Sequence, residues 1–332
     1  MKKSLAVLAA FVLPSFLLFS QEADEPGSGA ELTVIPRIDL GLPANLGNSS
    51  IYSLFEGNIS DNLSFSVSNH WASFSSDFKS FDTDAITDLY KYTWRSDWTN
   101  WCDWAYLEYG AGDFAFRIGK DMIYAGGIEF DAYDYDVHLP LMSGLWHNLS
   151  CYQWGGAIDW SPSESTLFSA QVATSPYGER PFGSGLYTYG LKWVGEEGPV
   201  NNIWQYSAID TGDGFFHLIS LGQTVSLSDA LSITLDWRNA VCDPDELLLK
   251  GSTADLSLLW APSESLELEV KGGWENRKDD DSFLYGCSAN WYPEKFGRSL
   301  RIHASLAHND LFEDSFYATV GVMYYLNLHI GR

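Results

Sequence analysis

Apolar side chains recur at every second position through nearly the whole chain, and that period belongs to extended strands with one apolar face. From Ser265 to Glu275, Leu266, Leu268, Val270, Gly272 and Trp274 share one face, and Glu267, Glu269, Lys271 and Glu275 share the other. From Ser299 to Ala307, Leu300, Ile302, Ala304 and Leu306 oppose Arg301, His303 and Ser305. Leu231, Ile233, Leu235 and Trp237 oppose Thr234, Asp236 and Arg238, and Leu63, Phe65, Val67 and Trp71 oppose Ser64, Ser66, Ser68 and His70. No helical period of comparable strength follows residue 20.

The links between strands have their own rhythm. GGAIDWSPSES (155–165), ADLSLLWAPSES (254–265) and GCSANWYPEK (286–295) share one plan, in which a strand ends at Trp, Pro follows two residues later, and a new strand begins. These and other tight links, such as Ser60-Asp61-Asn62 and Ser228-Asp229-Ala230, alternate with longer loops at 42–49, 74–100, 124–145, 175–184, 241–250, 276–282 and 309–314. Strands of ~10 residues with alternating short and long links predict an all-β fold, a transmembrane antiparallel β-barrel of about sixteen strands, with short periplasmic turns and long external loops. The expected strands are 31–41, 50–60, 63–73, 101–110, 113–123, 146–160, 165–174, 185–195, 202–210, 214–227, 230–240, 251–261, 265–275, 283–292, 298–308 and 315–328. Pro36 must then fall on a bulge or an unpaired position. A soluble sandwich would share the period but would cover its apolar face with a second sheet.

Composition narrows the function. The 332 residues carry 19 Lys plus Arg against 44 Asp plus Glu, a formal charge of -25, which argues against nucleic acid as a partner. Met1-Lys2-Lys3, the apolar run Leu5 to Phe19 and polar Gln21-Glu22 read as a signal peptide over 1–20, a flexible leader over 21–30 and a barrel over 31–332. That route ends in the cell outer membrane. The seven His form no HxxxH pair and no G-x-S-x-G elbow occurs, so no enzyme and no cofactor are expected. Cys102, Cys151 and Cys287 fall on strands and Cys242 in a loop, with no spacing that pairs them.

The stretch Asp103 to Asp136 resembles a known family. Ala105-Tyr106-Leu107-Glu108-Tyr109, a Gly/Asp turn, Phe116-Arg117-Ile118-Gly119-Lys120 and Gly126-Gly127-Ile128-Glu129 are similar to the porin superfamily, especially Bacteroidota outer-membrane porins related to the phosphate-selective porin O and P family. The resemblance implies a sixteen-stranded, commonly trimeric barrel whose third long loop folds inward to narrow the pore; here that loop is 124–145. Two features differ from the family: scarce Lys and Arg, which points away from phosphate, and a last strand ending LNLHIGR rather than in Phe or Trp.

On this reading the pore-constriction residues are Glu129, Asp131, Asp134 and Asp136, with Tyr133 and Tyr135 between them, in a stretch from 121 to 179 without Lys or Arg. Carboxylates in a narrow lumen attract cations. Parity places Tyr106, Glu108, Arg117, Lys192, Asp236, Arg238, Asp255, Glu267, Glu269, Lys271, Arg301 and His303 toward the lumen. Leu235, Leu268, Val270, Leu300, Ile302 and Ala304 should face lipid. The expected function is a water-filled channel for small hydrophilic solutes with a preference for cations. Its partners are outer-membrane lipid, those solutes or cations, and further copies in a homotrimer. The competing reading is a non-transporting surface protein, either an adhesin barrel or a secreted carbohydrate-binding sandwich.

Overall fold

A computed structural model describes residues 29–42, 49–73, 102–133, 135–178, 180–248, 250–276, 281–310 and 316–330. The signal peptide, nearly all of the leader, loop 74–100 and Asp134 lie outside the described residues. The strands are β1 (Ala30–Leu42), β2 (Ser50–Ser60), β3 (Leu63–Ser73), β4 (Cys102–Ala111), β5 (Phe114–Met122), β6 (Tyr152–Ser163), β7 (Thr166–Thr174), β8 (Tyr187–Glu197), β9 (Val200–Asp210), β10 (Phe215–Ser228), β11 (Leu231–Val241), β12 (Ser252–Ser263), β13 (Leu266–Asn276), β14 (Asp281–Trp291), β15 (Leu300–Asn309), β16 (Phe316–Tyr324) and β17 (Leu326–Ile330). Neighbours in sequence pair antiparallel from β1 to β16, and β1 pairs with both β16 and β17, closing the sheet. Only Tyr325 separates β16 from β17, so the two form one stave and the barrel has sixteen.

Pro36 is accommodated at the break in that stave. The β1 ladder runs Val34↔Leu326 and resumes at Arg37↔Met323, so Ile35 and Pro36 have no partner there and the missing N–H of Pro36 costs no bond on that side. The expected strand 146–160 starts late. Ser143 caps a short helix, α1 (Gly144–Asn148), by accepting from the Trp146 amide at 3.2 Å, and β6 begins only at Tyr152.

Alternation sorts the two faces. Val270 is 58% exposed on the outside while Asp236 and Arg238 are 3% and 1% exposed inside. Leu235, Ile302 and Ala304 also point outward. Outward rings collect at the two ends: Phe114, Trp160, Phe168, Trp204, Trp260 and Trp291 near the short links, and Tyr189, Phe215, Phe283 and Phe316 near the long loops. An apolar wall between aromatic belts, far larger than any patch a soluble protein exposes, requires lipid around it. No helix among the described residues is long and apolar enough to cross a membrane; the strands do so.

The Trp-x-Pro repeats share one hydrogen bond. The residue after each Trp donates its amide to a neighbouring short link: Ser161 to the Asp113 carbonyl, Ala261 to Ala230 and Tyr292 to Ser265, each at 2.8 Å. They diverge afterwards. At Trp160 and Trp260 the strand continues through a register shift to Ser163 and Ser263, whereas Trp291 ends its strand and a 3-10 turn over Glu294–Ser299 follows. The four Cys carry no disulfide, with Cys242 and Cys287 exposed.

Candidate functional site

The segment between β5 and β6 (residues 123–151) turns into the barrel at Gly126 and Gly127. Both glycines have positive φ, 79° and 66°. A Cβ on Gly126 would overlap the Phe130 ring, and one on Gly127 the Asp236 carboxylate. The backbone here is pinned by inward side chains of the wall. Gly126 N donates to Ser220 Oγ at 3.1 Å, Gly127 N to Gln205 Oε1 at 2.9 Å and Glu129 N to Asp236 Oδ2 at 2.9 Å, while Ser207 Oγ donates to the Tyr124 carbonyl. Apolar packing seals the same side: Ile123, Ala125, Phe130, Leu145 and Leu149 meet Ala173, Ile209, Phe216, Leu218 and Ala240 of β7, β9, β10 and β11.

The segment then crosses to other walls. Arg37 Nη1 donates to the carbonyls of Tyr135 (2.6 Å) and Val137 (2.8 Å), Arg301 Nη1 to Asp136 Oδ1 at 2.7 Å, and Asn309 Nδ2 to the Pro140 carbonyl at 3.1 Å. Gly144 N donates to Glu275 Oε1 at 2.6 Å. Two 3-10 turns, Glu129–Asp131 and Leu139–Leu141, shape the crossing, and stacked Trp104, Tyr133 and Tyr135 rings run beside it at 5.6 and 4.9 Å.

The expected constriction residues other than Asp134, which lies outside the described residues, sit inside the barrel in unequal states. Glu129 is buried and fully engaged: its carboxylate accepts from Arg238, from Lys271 Nζ at 2.8 Å, from Ser143 N at 2.9 Å and from the Ser143 hydroxyl. Burial raises its pKa, but the charges of Arg238 and Lys271 outweigh burial and hold it well below the usual carboxylate range. Asp136 takes Arg301 and the Tyr325 hydroxyl. Asp131 is different. Burial pushes its carboxyl up, and Lys192, at 3.5 Å from Oδ1, offsets that incompletely. His147 is held neutral, its pKa lowered by burial to about 4, and His138 is lowered by burial and by Arg37 and Arg301 nearby.

The expected lumenal residues all face inward, most of them in networks. Arg238 lies against Glu129, Asp255 and, at 3.9 Å, Asp236. Arg117 spans Glu108 and Asp159, each at 3.1 Å, and Asp121, with its guanidinium 4.9 Å above the Tyr106 ring. Glu267 accepts from Tyr292 and Arg298, Glu269 from Ser288, and His303 contacts Asp39 at 2.8 Å. Sequence reasoning missed Arg37, Asp39, Glu31, Glu56, Asp121 and Asp159. The signal was present, since Arg37 and Asp39 alternate with Ile38 and Leu40, and Glu56 follows outward Phe55.

The space that the crossing leaves is lined mainly by β1–β5, with Lys192 of β8 and Gln205 of β9 also in its wall. A cavity of about 430 Å³ remains there, reaching from Tyr124 and Phe130 at mid-depth to Asn58, Ile330 and the short-link rim. Its charged lining is Glu31, Glu56, Glu108, Asp121 and Asp131 against Arg117 and Lys192, with His329 at the rim. Among the described residues no three His, Cys, Asp or Glu side chains are grouped as metal ligands.

No protein-family model matches the sequence, and no curated protein sequence does. The fold has solved relatives. Two substituted forms of Rhodopseudomonas blastica porin superpose with TM-scores of 0.59 and 0.57 at 13% and 14% identity, over 91% and 90% of this chain and 100% and 99% of theirs. A structure described as concerning the asymmetric conductivity of engineered proteins gives 0.59 at 12% identity, over 90% of this chain and 99% of its own. At such identities the likeness is one of fold.

Proposed function

We propose that this protein is an outer-membrane porin, a passive diffusion channel for small hydrophilic solutes with a preference for cations. The observation that carries the reading is the asymmetric crossing of the barrel. The 123–151 segment is bonded to walls on both sides of the barrel, through Ser220 and Asp236 on one side and Arg37 and Arg301 on the other, and a cavity with a charged, polar lining remains along β1–β5. Sixteen strands enclose an aqueous interior rather than a side-chain core. An adhesin has no need of a lumen that keeps such an opening. The short links then face the periplasm and the long loops the outside, the first 20 residues serve export, and the homotrimer remains part of the proposal. The motif-level resemblance to the phosphate-selective O and P porins extends here to architecture, not to their solute.

The preference for cations shifts from its expected carriers. Glu129 and Asp136 are engaged by Arg238, Lys271 and Arg301, so their charges are largely cancelled where they stand. The excess charge of the opening belongs to Glu31, Glu56, Glu108, Asp121 and Asp131. Reversal potentials in planar bilayers under a KCl gradient test this. Glu56→Gln with Glu108→Gln should lower cation preference strongly at low salt and little at about 1 M, where the Debye length is ~3 Å. Wild-type selectivity in that double variant refutes the assignment, and a bilayer that stays silent refutes the channel.

A further inference from the structure

We infer that the lumenal cavity beside β1–β5 is a recognition site for a small organic cation, one bearing an ammonium or guanidinium group. The inference rests on the channel reading and adds a solute class to it.

Among the described residues, three carboxylates of the cavity lack a cation that satisfies them. Glu31 and Glu56 lie directly opposite each other on β1 and β2, a placement that is destabilising for like charges. Glu56 accepts from the Ser66 hydroxyl at 2.7 Å, and among the described residues Glu31 pairs only with the rim imidazole of His329, at 3.6 Å. The third, Asp131, comes from the inward segment. Its side chain is 9% exposed and Oδ1 is 3.5 Å from Lys192, but buried Oδ2 has no hydrogen-bond partner. A buried carboxylate oxygen left without a donor is costly, and a strong donor from a ligand would relieve it.

The rings decide the kind of donor. Trp104 and Tyr133 stack at 5.6 Å along the cavity, and Tyr106 carries the Arg117 guanidinium 4.9 Å over its face. These faces are taken up by one another and by Arg117, so the rings offer a ligand their apolar edges, and carboxylates beside an apolar wall suit a cation with an apolar body. Tyr133 lines the same cavity as Glu56 and Asp131. A neutral sugar could hydrogen-bond Asp131 but would leave Glu31 facing Glu56 uncompensated. An anion would meet five carboxylates. A bare metal ion would find no cluster of three ligands among the described residues and a space much larger than itself. The cavity volume is in the range that holds one small molecule.

Full-length protein in planar bilayers tests the inference, with agmatine as the cation, glucose as the neutral solute and L-glutamate as the anion. Agmatine should reduce the KCl current saturably, at concentrations at which glucose and glutamate leave it unchanged. Asp131→Asn should weaken the half-blocking concentration by about ten-fold, the loss of one charge-assisted bond, and Glu56→Gln should act in the same direction. Titration calorimetry in detergent reads binding without needing current: wild type should bind one agmatine per chain and Asp131→Asn more weakly. A KCl current that agmatine does not block, together with a flat calorimetric titration, overturns this inference while the channel stands. A silent bilayer with saturable agmatine heat keeps the site and overturns the channel. Block or heat unaffected by both substitutions also overturns the inference.

Discussion

Replacing Glu129 by Gln removes the charge that holds the root of the inward segment. In the native protein Glu129 faces Arg238 and Lys271 and accepts twice from Ser143. The substitution leaves Arg238 with Asp255 and Asp236, so its charge remains compensated. Lys271, buried and 2.8 Å from Glu129, loses its carboxylate. Removing one partner of a buried pair costs about 3–5 kcal/mol, and the remaining acids near Arg238 favour the lower end. About 3 kcal/mol is a factor of roughly a hundred in a local opening equilibrium. The cost is local, because the barrel ladders do not involve Glu129 and the segment keeps its anchors at Arg37, Arg301 and Asn309. Hydrogen exchange read by mass spectrometry should show the amides of residues 126–131 exchanging about a hundred-fold faster in E129Q, with β9–β12 unchanged. Equal exchange in the two proteins, or acceleration spread evenly over the strands, refutes the reasoning.

Other predictions follow from the same geometry. Val270→Arg, at an outward position 58% exposed, should cost about 2–4 kcal/mol if it lies near the bilayer midplane, whereas Glu269→Gln next to it should be nearly silent; equal losses in a refolding titration contradict the parity. Gly127→Ala places a Cβ against Asp236 at a positive φ and should speed exchange in 126–131 as E129Q does, with the heat-modifiable gel mobility of the barrel retained. His147 has a folded pKa lowered to about 4, against an ordinary value near 6.5. The released segment therefore takes up a proton first, and docking weakens as pH falls from about 6.5 toward 4, with no penalty above that window. Protection of residues 144–149, corrected for intrinsic rates, should fall over that range and much less in His147→Gln; protection constant over it in wild type refutes the account.

Strand identity was legible because parity is a local property. Leu268, Val270 and Glu269 declare their faces within three positions, and the Trp-x-Pro repeats mark where strands turn. The partners of Glu129 were not legible, because Arg238 and Lys271 are brought to it by barrel closure rather than by any spacing in the chain. The acid-rich loop therefore read as a row of free carboxylates when two of its acids are counter-ions for the wall. Pro36 interrupts the ladder in β1, yet Arg37 and Asp39 follow the same parity rule as Asp236 and Arg238. The start of β6 was misplaced because Trp146 and His147 lie in the capped turn of α1, where one hydroxyl outweighs weak alternation.

The closure of the sheet carries one more consequence. Every ladder but two joins neighbours in sequence; in those two β1 must find β16 and β17 across the length of the chain. Until it does, two unpaired edges stand open, and such edges template pairing with other chains. The inward segment meets this joint from within. Tyr135 and Val137 take Arg37 from the β1 side, while Asp136 between them takes Arg301 and Tyr325 from the other. The three residues act as a staple across the seam, so the element that narrows the lumen also helps the cylinder to shut, and weakening it should show first as slow or misdirected assembly rather than as a less stable finished barrel.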